Sequence, residues 1–157
     1  MPADKGTSML SDYLELTKPR LTSLVIATAI VGFFLGSPSD IDLVTGPLMI
    51  IGMVAIVSGG NALNQYWEHD VDALMQRTRN RPLPTGRLAP AQAMIFGTVL
   101  SLAGLVLLTL AVSPMAAVLA FGAWATYVFV YTPLKQRTTA STLIGAVPGA
   151  VPPLVGW

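Results

Sequence analysis

The chain has 157 residues, 53% of them hydrophobic and 11% charged, less than half the roughly 25% charge of an ordinary soluble domain. A net charge of +1 leaves no basic field for nucleic acid, so nucleic acid is excluded as a partner and a lipid bilayer is the expected surrounding. With no cysteine and a single histidine, His69, disulfides, thiolate nucleophiles and multi-histidine metal sites are excluded, and oxygen ligands remain.

Along the chain, Leu10, Tyr13, Leu14 and Thr17 fall at helical spacing around Asp12 and Glu15, which predicts a short helix on the membrane surface, with a disordered tail as the alternative. Residues 21–37, 43–63, 90–112 and 114–131 contain no Lys, Arg, Asp or Glu. Each approaches the roughly 20 apolar residues that cross a hydrocarbon core of about 30 Å. No small-residue cleavage site follows the first of them, so it is expected to be retained. A fifth apolar stretch starts near Thr142 and is interrupted by Pro148, Pro152 and Pro153. From residue 143 to Trp157 it reaches about 22 Å, short of a span; on this reading the chain stops in mid-helix. The expected fold is an all-α polytopic transmembrane bundle with four full spans and the start of a fifth, undivided by any repeat or linker. Gly32/Gly36 and Gly145/Gly149 are assigned to helix packing.

The nine basic residues sort onto one side of this topology. Lys5, Lys18 and Arg20 precede the first span, Arg77, Arg79, Arg81 and Arg87 lie between the second and third, and Lys135 and Arg137 follow the fourth. The opposite connections hold only Asp40 and Asp42. Because cytoplasmic loops carry the excess of Lys and Arg, the N-terminus and charged loops are expected in the cytoplasm of a multi-pass cell-membrane protein.

Residues 61–87, NALNQYWEHDVDALMQRTRNRPLPTGR, concentrate charges of both signs directly after the second span. Asn64, Glu68 and Asp72 recur at i, i+4, i+8, drifting about 80° around a helix while climbing about 12 Å, and so form one polar stripe. Asn61 shares that sector, Asp70 points away from it, and His69 stands about a third of a turn off. Carboxylates at a membrane edge are costly and are functional candidates by default. Two carboxylates and an amide oxygen offer the hard ligands that Mg²⁺ takes together with phosphate oxygens. The competing reading is helix-end ion pairing, Glu68 with Arg77 or Asp72 with Arg79. Arg77, Arg79 and Arg81 alternate into a turn-rich stretch with Pro82, Pro84 and Gly86, and guanidinium forks match phosphate oxygens. The candidate diphosphate contacts are Arg81, Arg77, Lys135 and Arg137, the last two on the other basic loop, where orienting the helices is their alternative role.

This stretch resembles the first aspartate-rich motif of the UbiA superfamily of intramembrane prenyltransferases, and within it the haem-farnesylating branch. The motif NxxxDxxxD stands here as Asn64, Glu68 and Asp72, and LTKPRLTSLV and YTPLKQRTTASTLIGAVPGAVPPLVGW resemble the same branch. The resemblance implies a nine-helix bundle around a cavity, with Mg²⁺ held by Asn64, Glu68 and Asp72 as the catalytic set. It also implies that residues 1–157 correspond to the N-terminal half of the domain, that a second motif lies beyond Trp157, and that the chain alone is inactive. The implied substrates are farnesyl diphosphate and haem b, a vinyl group of which attacks the allylic carbon as diphosphate leaves, with Tyr127 and Tyr131 shielding the cation. An acceptor among quinone precursors or other aromatics stays open as an alternative, as does an inert membrane fragment. His69 as an axial haem ligand is the weaker reading of that residue, which projects away from the stripe; the oligomeric state is left undetermined.

Overall fold

A computed structural model of the chain describes residues 8–37, 42–136, 138 and 141–157. Lys5, Asp40 and Arg137, named above, lie outside the described residues, which form helices and turns without strands. Helix α1 covers Met9–Leu16, α2 Pro19–Gly36, α3 Thr45–Leu74 and α4 Pro90–Ala111. Helix α5 covers Pro114–Leu134 and includes a π-helical turn at Thr126–Tyr131. Two short helices follow, α6 at Ser141–Ala150 and α7 at Pro152–Gly156.

Proline opens α2, α4, α5 and α7, where its missing N–H leaves no bond unmade. Ser8 and Ser113 cap α1 and α5 through their hydroxyls. Helices α2 to α5 are each long and apolar enough to cross a membrane, as expected. The fifth apolar stretch is broken at Val151, just before Pro152, as anticipated there, whereas Pro148 sits inside α6 without breaking it. Helix α3 runs 30 residues, about 45 Å, so its last turns project beyond a hydrocarbon core of about 30 Å. Those turns carry the polar stripe.

The central contact is α3 against α4, made possible by glycines seven residues apart on both helices. A Cβ on Gly59 would stand 2.6 Å from the Gly97 carbonyl oxygen, and one on Gly104 would stand 2.6 Å from that of Gly52. The reciprocal pairing brings the two antiparallel backbones together without side chains between them. Of the glycines assigned to packing, Gly32 meets α7 at Pro153 and Gly36 meets Trp157 just past its end, Gly145 lies under the Tyr131 ring, and Gly149 faces open space, contrary to the expectation. Ile26, Met49, Met53, Ile56, Leu108 and Val155 belong to the main core. A smaller core of Leu16, Ala62, Leu83, Leu88 and Ala93 ties α1 and the α3–α4 loop to the bundle.

Helix α1 forms as predicted, and the protein packs against the side that carries Asp12 and Leu16. Leu10 and Leu14 are exposed, while Asp12 and Leu16 are buried. The reason is electrostatic: Arg87 Nε lies 2.9 Å from Asp12 and its terminal nitrogen 3.3 Å from Glu15, and Gln65 Nε2 donates to the Glu15 and Leu16 carbonyls.

Gly59→Ala is expected to lower the thermal midpoint sharply, because its methyl would meet the α4 backbone at the Gly97 carbonyl oxygen and the Ser101 nitrogen as well as the Ser101 hydroxyl, whereas Gly122→Ala, with nothing within 4 Å, should leave it unchanged. Thermal unfolding of the purified variants in detergent measures the difference; equal midpoints would remove the glycine seam as the determinant of α3–α4 packing.

Candidate functional site

The stripe residues are all buried and all face one way. The side chain of Asp72 is 7% exposed, against 92% for Asp70 two positions earlier, as the helical phase requires. Each member holds one cation, and each cation comes from a different part of the chain. Lys18, between α1 and α2, donates to Asn64 Oδ1 at 2.5 Å. Arg81, in the α3–α4 loop, donates to Asp72 Oδ2 at 2.6 Å. Lys135, just past α5, lies 2.6 Å from Glu68 Oε1. The acids therefore do pair with basic residues, but with Arg81 and Lys135 rather than with Arg77 and Arg79. Three cations face two carboxylates, leaving the cluster one positive charge in surplus.

Local chain chemistry sets each cation. The α3–α4 loop is anchored by buried Leu83 and Leu88, by the Thr78 hydroxyl on the Asp72 carbonyl at 2.9 Å, and by Gly86 at φ +74°, so Arg81 is delivered from a fixed turn. Lys18 occupies the left-handed region at φ 48° directly before Pro19, a conformation costly for a residue with a Cβ and of a kind that clusters at functional sites. Burial, followed by the nearby Arg81 and Lys135, lowers its pKa to about 8, with Glu68 and Asp72 pulling the other way. Lys18 was not among the sequence candidates. The available signal was its place before the proline that opens the first span.

Arg77 is exposed on the loop and makes no side-chain hydrogen bond or ion pair among the described residues. His69 faces away: Nδ1 meets the Tyr66 carbonyl at 2.8 Å and Nε2 meets Asp70 at 3.3 Å. Asn61 supports the cluster from the α3 turn before Asn64, donating to the Thr17 carbonyl and Thr22 hydroxyl and accepting from the Tyr127 hydroxyl at 3.2 Å.

Next to the cluster lies a cavity of about 600 Å³, within the roughly 300–1,000 Å³ of small-molecule sites. Lys18, Lys135 and Asn61 form its polar end, and its walls include Val25, Met53, Ile56, Trp124 and Val155. Tyr127 and Tyr131 line it as anticipated, their rings stacked 5.7 Å apart, with Lys135 Nζ 5.5 Å above Tyr131.

Among the described residues no three His, Cys, Asp or Glu side chains converge as a metal site. The oxygen donors of Asn64, Glu68 and Asp72 suit Mg²⁺ in kind. The surplus positive charge disfavours a divalent ion entering alone, so the residues fit Mg²⁺ when an anion of higher charge comes with it.

The family model of UbiA prenyltransferases matches residues 25–157. The chain belongs to the UbiA prenyltransferase family. It is 46% identical to the protoheme IX farnesyltransferase of Myxococcus xanthus (strain DK1622) over 155 residues, covering 99% of this chain and 52% of that protein. It is 56% identical to the same-named protein of Sorangium cellulosum (strain So ce56) over 110 residues, 70% of this chain and 39% of that one. The chain thus spans about half the length of the curated relatives it matches. A solved structure described as digeranylgeranylglyceryl phosphate synthase superposes with a TM-score of 0.84 at 23% identity, over 94% of this chain and 52% of that one. That likeness supports the UbiA-type membrane fold.

Arg87 stands apart from the cation cluster and holds α1. Arg87→Ala is expected to cost about 2–3 kcal/mol in detergent unfolding, because buried Asp12 loses its guanidinium, and to expose residues 9–16 to limited proteolysis. Glu15→Gln, half-exposed, should change stability by about 0.5 kcal/mol or less. An Arg87→Ala protein as stable and protease-resistant as wild type would mean that Leu16 packing alone seats the helix.

Proposed function

We propose that the cluster receives the diphosphate of farnesyl diphosphate, and that the protein containing this chain transfers the farnesyl group to a vinyl group of haem b. What supports this most is the convergence of three cations from separate segments onto Asn64, Glu68 and Asp72 at the mouth of an apolar cavity. Family membership and the names of the relatives supply the prenyl and haem chemistry. Lys18, Arg81 and Lys135 bind the diphosphate oxygens, while Arg77 and Arg137 add charge from the loops. Asn64, Glu68 and Asp72 would hold Mg²⁺, which when bound supplies Lewis-acid neutralisation of the leaving diphosphate.

The allylic carbon–oxygen bond breaks and its electron pair leaves with the diphosphate. The vinyl π electrons form the new carbon–carbon bond, and water adds to the resulting cation with loss of a proton, giving the hydroxyethylfarnesyl side chain. The chain's task is electrostatic: fixed cations meet the charge that develops on the leaving group, in a setting with little reorganisation. The apolar walls keep water from the allylic cation until the vinyl attacks, and the stacked Tyr127 and Tyr131 rings offer it aromatic faces.

In the protein expressed from its complete reading frame, Asp72→Asn is expected to lower farnesyl diphosphate turnover by about a hundredfold or more, several kcal/mol of transition-state stabilisation. Asp70→Asn, an exposed position, should stay within about threefold. Product analysis with haem b beside 4-hydroxybenzoate assigns the acceptor; prenylation of the phenol alone would replace haem in the proposal. Comparable, mild effects of both substitutions would return Glu68 and Asp72 to a structural ion-pair role.

The proposed orientation puts the cluster on the cytoplasmic side of the cell membrane. An impermeant thiol reagent applied to the outside of intact cells should label Leu43→Cys in the α2–α3 connection and spare Arg79→Cys; the opposite pattern inverts the topology.

A further inference from the structure

Helix α5 leaves α-helical geometry at Thr126–Tyr131, and the backbone N–H of Thr132 bonds five residues back to the Tyr127 carbonyl. Single π turns of this kind are frequent at functional sites. Here the turn ends on a threonine that is fully buried and faces α3. The Thr132 hydroxyl lies 2.8 Å from the Tyr127 carbonyl oxygen and 2.9 Å from Asn64 Nδ2.

A hydroxyl has one proton and two lone pairs, and a carbonyl oxygen only accepts. The Thr132 proton is therefore directed to Tyr127, and Thr132 presents a lone pair to Asn64. The opposite side of the Asn64 amide meets the Lys18 ammonium, which only donates, at 2.5 Å. Both neighbours require the same amide orientation, with Nδ2 toward Thr132 and Oδ1 toward Lys18 and the cluster. Inverting the amide would set donor against donor and acceptor against acceptor.

We propose that Thr132 is a positioning residue that orients the Asn64 carboxamide, so that its oxygen rather than its nitrogen faces the incoming Mg²⁺–diphosphate. This rests on the function proposed above. Lys18 leaves its station when it turns to the anion, and Thr132 is then the remaining group that dictates the orientation.

The test is a double-mutant cycle on the protein from its complete reading frame, purified in detergent. The Kd for Mg²⁺ is measured by calorimetry at saturating inorganic diphosphate. Thr132→Val keeps the shape and removes the hydroxyl; it should weaken Mg²⁺ about tenfold or more. Thr132→Ser should stay within about twofold of wild type. Asn64→Asp carries two equivalent oxygens and needs no orienting, and a Thr132 lone pair facing a carboxylate is unfavourable. In that background Thr132→Val should be neutral or tighten binding. A tenfold loss with Thr132→Val in both backgrounds would make Thr132 a packing residue and overturn the proposal, as would wild-type affinity in Thr132→Val itself. If Thr132→Val fails to fold, Thr132→Ala is read in the same cycle. Failure of the wild-type protein to bind diphosphate with Mg²⁺ would overturn the proposed function together with this inference, whereas wild-type binding with a flat cycle overturns this inference alone.

Discussion

Two carboxylates buried at the end of an apolar helix constrain much of the structure. Glu68 and Asp72 lie where water is scarce, and an unpaired charge there costs several kcal/mol. Each must meet a cation, and α3 itself offers none between Thr45 and Leu74. The partners come from the loop after α3 and from the end of α5, while Lys18 reaches Asn64 from before α2. Satisfying these residues therefore draws three separate segments to one end of the bundle. Tight α3–α4 packing through Gly52, Gly59, Gly97 and Gly104 supports the arrangement from within the membrane.

Much of this was legible in the sequence because its signals are local. Uninterrupted apolar runs located the starts of the four spanning helices to within two residues, whereas α3 continues eleven residues past the end of its apolar run; proline marked the starts of four helices. Helical phase separated Asp72 from Asp70 correctly, since 100° per residue leaves little freedom once the helix exists. The same phase argument turned His69 away from the cluster, where the structure also places it.

What stayed hidden depends on distance across the fold. The pairings of Glu68 with Lys135 and Asp72 with Arg81 span 67 and 9 residues, and spacing alone favoured nearer arginines. Lys18 looked like one more basic residue flanking a span; its left-handed backbone and its reach to Asn64 emerge only when α1 and α3 are both in place. Which side of α1 meets the bundle was likewise not readable from spacing within the helix. Leu10 and Leu14 stay exposed, as on a membrane-surface helix, while Arg87, more than 70 residues away in sequence, draws in the acidic side.

Under the proposed function, the arrangement of charge next to the cavity would also order events at the site. In the protein as folded, the cations occupy the stripe oxygens, and a surplus of one positive charge repels a bare divalent ion. A bound diphosphate would reverse both conditions at once. It would offer Lys18, Arg81 and Lys135 a more highly charged partner than a carboxylate or an amide, and as they turned toward it the oxygens of Asn64, Glu68 and Asp72 would become available to Mg²⁺. On the proposed function, anion and metal would favour one another's binding through a shared set of side chains, which is a coupling free energy and is reciprocal. The ion pairs that make buried carboxylates tolerable would then be the same contacts whose exchange readies the site for the proposed substrate.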